Sequence, residues 1–356
     1  MEKTTESIKL INMFLHPVFL VRDGAVAEVN DAAKALQIKV DTKVSALIPQ
    51  ALEDYEAFAG GYLSLTVSIG GVEQLATVMR AEDADVFHLL SSNMSAEFRT
   101  MALISRQIKK PLTGILAASD SLRPSVVEDT PETKAQIAQI NRNLYQLLRK
   151  VSNMSAVERI ATHHSSNQQI CHITALFDSI MEKATEFVSR SKRTLNFTNL
   201  SENIQALGDE ELIERAIYNL ISNAVKFSPV DSVVFAKLTR SGKRLRFTVE
   251  NKTEAGCDLT NLHARFMREP GYEDDRHGIG LGIPLVQHIA SIHNGSLLMD
   301  QPEEGVVRFN LTIPIRQNTE NIVRSPIMPF DYLGGHDHAL VELSEILSAD
   351  LYVEYL

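Results

Sequence analysis

The chain has 356 residues, is 44% apolar and 22% charged, and carries a formal net charge of −10. That length suggests roughly two or three domains, and the acidic balance argues against a nucleic-acid surface, which needs a basic footprint. Cys171 and Cys257 give neither a disulfide framework nor metal spacing, no apolar run is long enough to span a membrane, and the first residues show no signal-peptide pattern, so a soluble, cytoplasmic protein is expected.

Residues 8–90 alternate short strands and helices. Pro17–Val21 reads as a strand, Asp23-Gly24 as a hairpin turn, and Ala25–Val29 as the returning strand. Asn30-Asp31 caps an Ala-rich helix through Leu36. Further strands are expected at Tyr62–Ile69, Val72–Met79 and Asp85–Leu90, with a Gly70-Gly71 turn between the first two. The stretch P-V-F-L-V-R-D-G-A-V-A-E-V-N-D-A-A resembles a PAS sensory domain, which is assigned here to residues 1–92. No heme or flavin ligand pattern is visible, which favours packing or dimer contacts over ligand sensing. His88 is read as structural.

Residues 93–165 read as a helical hairpin. Met101, Ile104, Ile108, Ile115 and Leu122 share one seam of its first helix, and Arg123-Pro124 ends it. After a loop, Thr130-Pro131 opens the second helix. There Ile137, Ile140, Leu144, Leu147, Val151 and Met154 are spaced 3, 4, 3, 4, 3, a heptad pattern. A hairpin with such seams is expected to pair as a homodimer through residues 95–160, forming a four-helix bundle.

Residues 166–316 hold the chemistry. His172–Arg190 reads as a helix, with strands near Thr194–Phe197 and Ile204–Leu207. In 208–229, Leu212, Ile213, Ala216, Ile217, Leu220 and Ile221 form the apolar stripe of a second helix. Asn219 and Asn223 lie one turn apart on it, with Lys226 three residues further. Asn is a mediocre residue inside a helix, so this set suggests a ligand. An amide oxygen suits Mg²⁺, with Asn223 the main metal ligand and Asn219 assisting, and Lys226 would meet phosphate as a point charge. A hairpin follows, of Val233–Thr239 and Lys243–Glu250. Then G-I-G-L-G-I-P-L-V-Q-H-I-A-S-I-H-N-G (278–295) places Gly278, Gly280 and Gly282 before an apolar helix that Asn294-Gly295 stops. Free N–H groups at such an entry favour anions. Val306–Ile313 is expected to close the sheet.

Together, N-L-I-S-N-A-V-K-F-S-P and the glycine-rich segment resemble the ATP-binding domain of sensor histidine kinases. The resemblance implies an α/β sandwich that holds ATP with Mg²⁺ between the two helices. The family's adenine-reading Asp position is taken by Asn251, whose carbonyl can still accept from the adenine amino group. Leu262–Arg268 resembles a shortened lid helix. The stretch S-R-Q-I-K-K-P-L-T-G-I-L (105–116) resembles the family's phosphotransfer signature, S-H-E-L-R-T-P-L, with Ser105, Pro111 and Leu112 matching. Arg106 stands at the phospho-acceptor His, Gln107 at the acidic base, and Lys110 at a small polar position. A guanidinium stays protonated and has no free lone pair, so autophosphorylation at the usual position is not expected.

The expected fold is therefore α+β and multidomain: a PAS-like sensor, a dimeric helical hairpin, an ATP-binding sandwich and an acidic tail at 317–356. The tail has no Lys or Arg after Arg324 and six acids beyond it. Leu340, Leu343, Ile346 and Leu347 suggest a short amphipathic helix that packs on the chain itself or on a partner. In His336-Asp337-His338, Asp337 reads as a helix N-cap, and His163-His164 lacks ligand partners at metal spacing. The leading functional expectation is a degenerate two-component kinase that binds ATP and a response regulator or partner histidine kinase. The alternatives are an active kinase with an unconventional acceptor, such as His163 or His164, and a purely structural scaffold.

Overall fold

The computed structural model describes residues 11–90, parts of 108–118, and 130–163, 168–201, 204–253, 281–315 and 331–354. Its N-terminal body has strands β1 (Val18–Arg22), β2 (Ala25–Val29), β3 (Tyr62–Ile69), β4 (Val72–Arg80) and β5 (Asp85–Leu89), as the alternation predicts. Both predicted turns have positive φ at their two central residues, Asp23-Gly24 and Gly70-Gly71, the geometry that matches strand twist. Short helices α1 (Asp31–Ala35), α2 (Val44–Leu47) and α3 (Leu52–Ala57) lie between β2 and β3. Asn30 caps α1, its Oδ1 accepting from Ala33 N at 2.9 Å, while its Nδ2 donates to the His16 carbonyl at 2.8 Å. The strands run antiparallel in the order β2-β1-β5-β4-β3. Inside, Phe19 stacks on Phe87 at 4.7 Å, each such ring worth about 1.5–3 kcal/mol when fully buried.

The hairpin's second helix, α4 (Pro131–His163), runs 33 residues. Ala138, Tyr145, Leu148, Ala156, Val157 and Ile160 bury one face within the chain. The expected seam divides. Val151 is buried and Leu144 and Met154 pack on the chain's own core, whereas Ile140 and Leu147 are 53% and 42% exposed. Ile115, on the helical stretch before α4, is 53% exposed as well. Among the described residues no helix is long and apolar enough to cross a membrane.

The third body contains β6 (Gln169–His172), α5 (Ile173–Ser189), β7 (Thr194–Asn199), β8 (Gln205–Gly208), α6 (Glu210–Phe227), β9 (Val233–Ser241), β10 (Arg244–Lys252), α7 (Gly282–Ile292), β11 (Ser296–Asp300) and β12 (Val306–Pro314). Its main sheet runs β11-β12-β10-β9-β7, with β7 parallel to β9 and the other pairs antiparallel. On β9, Val234, Ala236 and Leu238 are buried while Phe235 is exposed, the alternation of a sheet with one covered face. The expectation that Val306–Ile313 closes the sheet is corrected. β12 is internal, and the unpredicted β11 lies outside it.

The sheet does not stop at β11. That strand pairs antiparallel with β3, Leu297 opposite Ser64, Leu298 opposite Leu63 and Met299 opposite Tyr62, so ten strands form one sheet. Gly61 makes the approach possible. It has φ +88, and a Cβ there would run into the Met299 carbonyl oxygen. Beside the joint, Arg244 Nη1 donates to Asp54 Oδ2 at 2.6 Å, and Ser296 Oγ donates to the same carboxylate. Burial pushes the Asp54 carboxyl up against the pull of Ser296 and Arg244. Thr66 and Ser291 hydroxyls meet at 2.7 Å.

The tail packs on the chain itself. It forms α8 (His338–Glu342) and α9 (Leu351–Glu354), with Asp337 Oδ1 capping α8 from Leu340 N at 3.0 Å as expected. Leu333, Leu340, Leu343, Leu347 and Leu351 enter the same core as α4 and α6. Tyr352 meets Tyr145 edge-on at 5.0 Å.

Candidate functional site

Helix α6 carries three of the residues that the sequence singles out. Asp209 caps it, its Oδ1 accepting from Leu212 N at 3.1 Å, and its apolar stripe fixes the helix against the sheet. Asn219 is 1% exposed. Its Nδ2 donates to the Arg215 carbonyl at 2.8 Å, and its Oδ1 accepts from Arg149 Nη2 at 3.3 Å. Asn223 and Lys226 are half-buried. The start of α7 comes against this pair of amides. A Cβ on Gly282 would stand 2.9 Å from Asn219 Oδ1 and 3.6 Å from Asn223 Nδ2, so only glycine leaves both amides in place. The expected convergence of the two helices is present in that contact.

Gly278, Gly280, the lid around Leu262–Arg268, and Arg106, Gln107 and Lys110 lie outside the described residues. Asn251 is buried near the end of β10, opposite Val307. Its side chain donates to the Lys252 carbonyl at 3.0 Å. Among the described residues no hydrogen bond joins it to Asn219, Asn223 or Lys226.

Lys226 already holds an anion. Its Nζ lies 2.6 Å from Glu345 Oε2 on the tail. Arg149 reaches Glu345 at 3.7 Å and Glu342 at 3.3 Å, and Arg215 reaches Glu342 at 3.7 Å. The Arg215 guanidinium lies over the Tyr332 ring, 3.7 Å from its centroid, and the Tyr332 hydroxyl donates to Glu342 at 3.3 Å. The two carboxylates are held differently. Burial raises Glu345, but Arg149 and Lys226 outweigh it and hold the carboxyl below its ordinary range. Burial wins at Glu342, which sits above its ordinary range despite Arg149 and Arg215. Sequence reasoning missed Arg149, Arg215, Glu342 and Glu345. Arg215 carries a readable signal, since Arg215, Asn219 and Asn223 step by one turn down a single face.

The described groups suit a nucleotide phosphate with a hard cation. Two amides lie against a helix start with no Cβ in the way, and an ammonium with a carboxylate already on it follows them on α6.

Residues 208–317 match the family of histidine kinase-, DNA gyrase B-, and HSP90-like ATPases. The chain is 25% identical over 271 residues to the autoinducer 2 sensor kinase/phosphatase LuxQ of Vibrio harveyi, covering 71% of this chain and 30% of that protein. It is 26% identical over 203 residues to the heme sensor protein HssS of Staphylococcus epidermidis, covering 56% and 44%. The sensor-like histidine kinase SenX3 of Mycolicibacterium smegmatis is 28% identical over 226 residues, covering 60% and 56%. The chain thus spans about a third to just over half of these relatives' lengths. Among solved structures, full-length ShkA in complex with AMPPNP overlaps 62% of this chain and 46% of its own, with TM-score 0.49 and 18% identity. Histidine kinase ThkA in complex with response regulator TrrA overlaps 84% and 96%, with TM-score 0.41 and 12% identity.

Proposed function

Because the chain belongs to the histidine kinase family, with its ATPase-type domain at residues 208–317, we propose that it is a degenerate two-component signalling protein. It binds Mg-ATP but does not phosphorylate itself at the usual position. The observation that carries the nucleotide half is the meeting of Gly282 with Asn219 and Asn223, one turn from an anion-bearing Lys226. Asn223, assisted by Asn219, would hold Mg²⁺. Lys226 and the N–H groups of Gly278, Gly280 and Gly282 would hold phosphates, and Asn251 the adenine. The cation would neutralise phosphate charge. The α6 amides fix its position, and Lys226 supplies a point charge that Arg could not match in compactness.

The degenerate half rests on Arg106 and Gln107. The acceptor must offer a neutral nitrogen lone pair, with a carboxylate beside it to take the other proton. Neither Arg nor Gln does this at neutral pH. The N-terminal body, five antiparallel strands with short helices between β2 and β3, supports reading it as PAS-like. Exposed Ile115, Ile140 and Leu147 support a homodimer through the hairpin. Such a molecule would act by binding a response regulator or a partner kinase and shifting its equilibrium.

Incubation with γ-labelled ATP tests the reading, on the wild type and on Arg106→His with Gln107→Glu. Label in the double variant alone is expected. Acid-labile label on the wild type would refute the degenerate half, and calorimetry without saturable Mg-ATP binding at millimolar nucleotide would refute the other.

A further inference from the structure

We propose that residues 331–352 are an intrachain competitor of nucleotide, with the Glu345 carboxylate held on Lys226 in the place of a phosphate. This rests on the ATP reading above and says how that site is regulated.

Two of the three α6 residues read as nucleotide contacts are engaged from outside the ATPase body. Lys226 is taken by Glu345 at 2.6 Å, and the Asn219 amide oxygen by Arg149 at 3.3 Å. One ammonium cannot keep a carboxylate at hydrogen-bond distance while a triphosphate takes the same place, because the two anions repel at contact range. Nucleotide entry on Lys226 therefore requires Glu345 to leave.

The tail also packs against both the hairpin and α6. On the hairpin side, Lys109 Nζ donates to the Tyr332 carbonyl at 2.9 Å, Gln146 Nε2 to Ser344 O at 3.1 Å and Asn141 Nδ2 to Tyr352 O at 3.3 Å. On the ATPase side, His338 meets Glu214 at 2.9 Å and Asp337 meets Lys183 at 3.3 Å. A docked tail thus ties the hairpin to the ATPase body beside Lys226.

Its attachments differ in how readily they can be released. Glu342 is 0% exposed among Arg149, Arg215 and Tyr332, and the leucines beside it are core residues. Lys226 and Glu345 are each 21% exposed. Glu345 can therefore swing away at the solvent edge while the apolar anchor stays seated. The docked tail is a shut state that a nucleotide opens from one end, and its opening shifts with nucleotide concentration.

The test uses the full chain and Mg-ADP, by calorimetry and amide hydrogen exchange. Glu345→Gln should bind Mg-ADP on the order of two- to fivefold tighter than wild type, the range for removing a partly exposed ion pair. Saturating Mg-ADP should raise exchange over residues 343–349 in the wild type. Asp337→Ala removes the α8 cap and the Lys183 contact without touching Lys226. It should loosen the tail and also tighten binding. Measurable binding of equal strength in wild type and Glu345→Gln, exchange unmoved at saturation, or a loosened Asp337→Ala tail without tighter binding would each overturn the competition and leave the ATP reading standing. Failure of all three chains to bind Mg-ADP would remove the ATP reading and the competition with it.

Discussion

Replacing Gly61 by alanine should separate the two halves of the ten-stranded sheet. Gly61 has φ +88, and its missing Cβ faces the Met299 carbonyl oxygen and the Asp300 side chain. Gly71 supplies the control. Its φ is nearly the same, +84, but no atom lies within 4 Å of where a Cβ would stand. Both substitutions place an L side chain in left-handed backbone, which costs about 1–2 kcal/mol. Only Gly61→Ala adds an overlap with backbone, which β3 can relieve only by drawing away from β11, a further loss of about 1–3 kcal/mol. The expected totals are about 2–5 kcal/mol for Gly61→Ala and about 1–2 kcal/mol for Gly71→Ala. Urea denaturation of the two variants measures the difference. Hydrogen exchange along Leu297, Leu298 and Met299, which pair with Ser64, Leu63 and Tyr62 of β3, should rise in the first variant alone. Equal losses of stability with unchanged exchange at β11 would refute the steric reasoning.

Gly282→Ala should weaken Mg-ATP binding by tenfold or more in calorimetry, because its Cβ would displace the Asn219 amide. Ile140→Glu with Leu147→Glu should give folded monomers in light scattering, since both side chains are exposed within the chain. Leu144 is a poorer target because it packs on the chain's own core. Tail docking should depend on pH in two directions. Burial lowers the His338 imidazole, but Glu214, helped by Asp331 and Glu342, outweighs it and holds it above 6.5. That contribution is full below 6.5 and lost as pH rises through the folded value. Glu345 is held below 4.5, so its contribution is present above 4.5 and lost as pH falls through the folded value. Exchange protection over 338–352 should therefore fall on either side of mildly acidic pH, and His338→Gln should flatten the alkaline side.

Elements with their own local chemistry were legible in the sequence. Asn30 and Asp337 cap the helices they were expected to cap, and the two glycine-bearing turns place β1–β4 within a residue or so. β11 was missed because Ser-Leu-Leu-Met-Asp is short and does not alternate. Its pairing with β3 runs through backbone groups, which leave no mark on side-chain pattern apart from Gly61. At the site, the α6 residues were readable from their one-turn spacing. Arg149, Glu342 and Glu345 were not, because their roles come from contacts between elements 70 or more residues apart in sequence. The heptad on α4 identified an apolar stripe but not which part of it the tail and the ATPase body would cover.

The β3–β11 joint also bears on aggregation. A strand at the rim of a sheet is a template for another chain, and Leu297, Leu298 and Met299 would make such a rim apolar. In the intact chain that rim is covered by β3. The remaining rims are less inviting. β2 is shielded where Val26 exchanges backbone bonds with Asp41 and Thr42, and β7 turns Thr194, Asn196 and Thr198 outward. Cutting the chain between the N-terminal body and residue 166 would uncover β11, so the isolated C-terminal half should self-associate through that strand in sedimentation experiments, and a charged residue in place of Leu298 should suppress it.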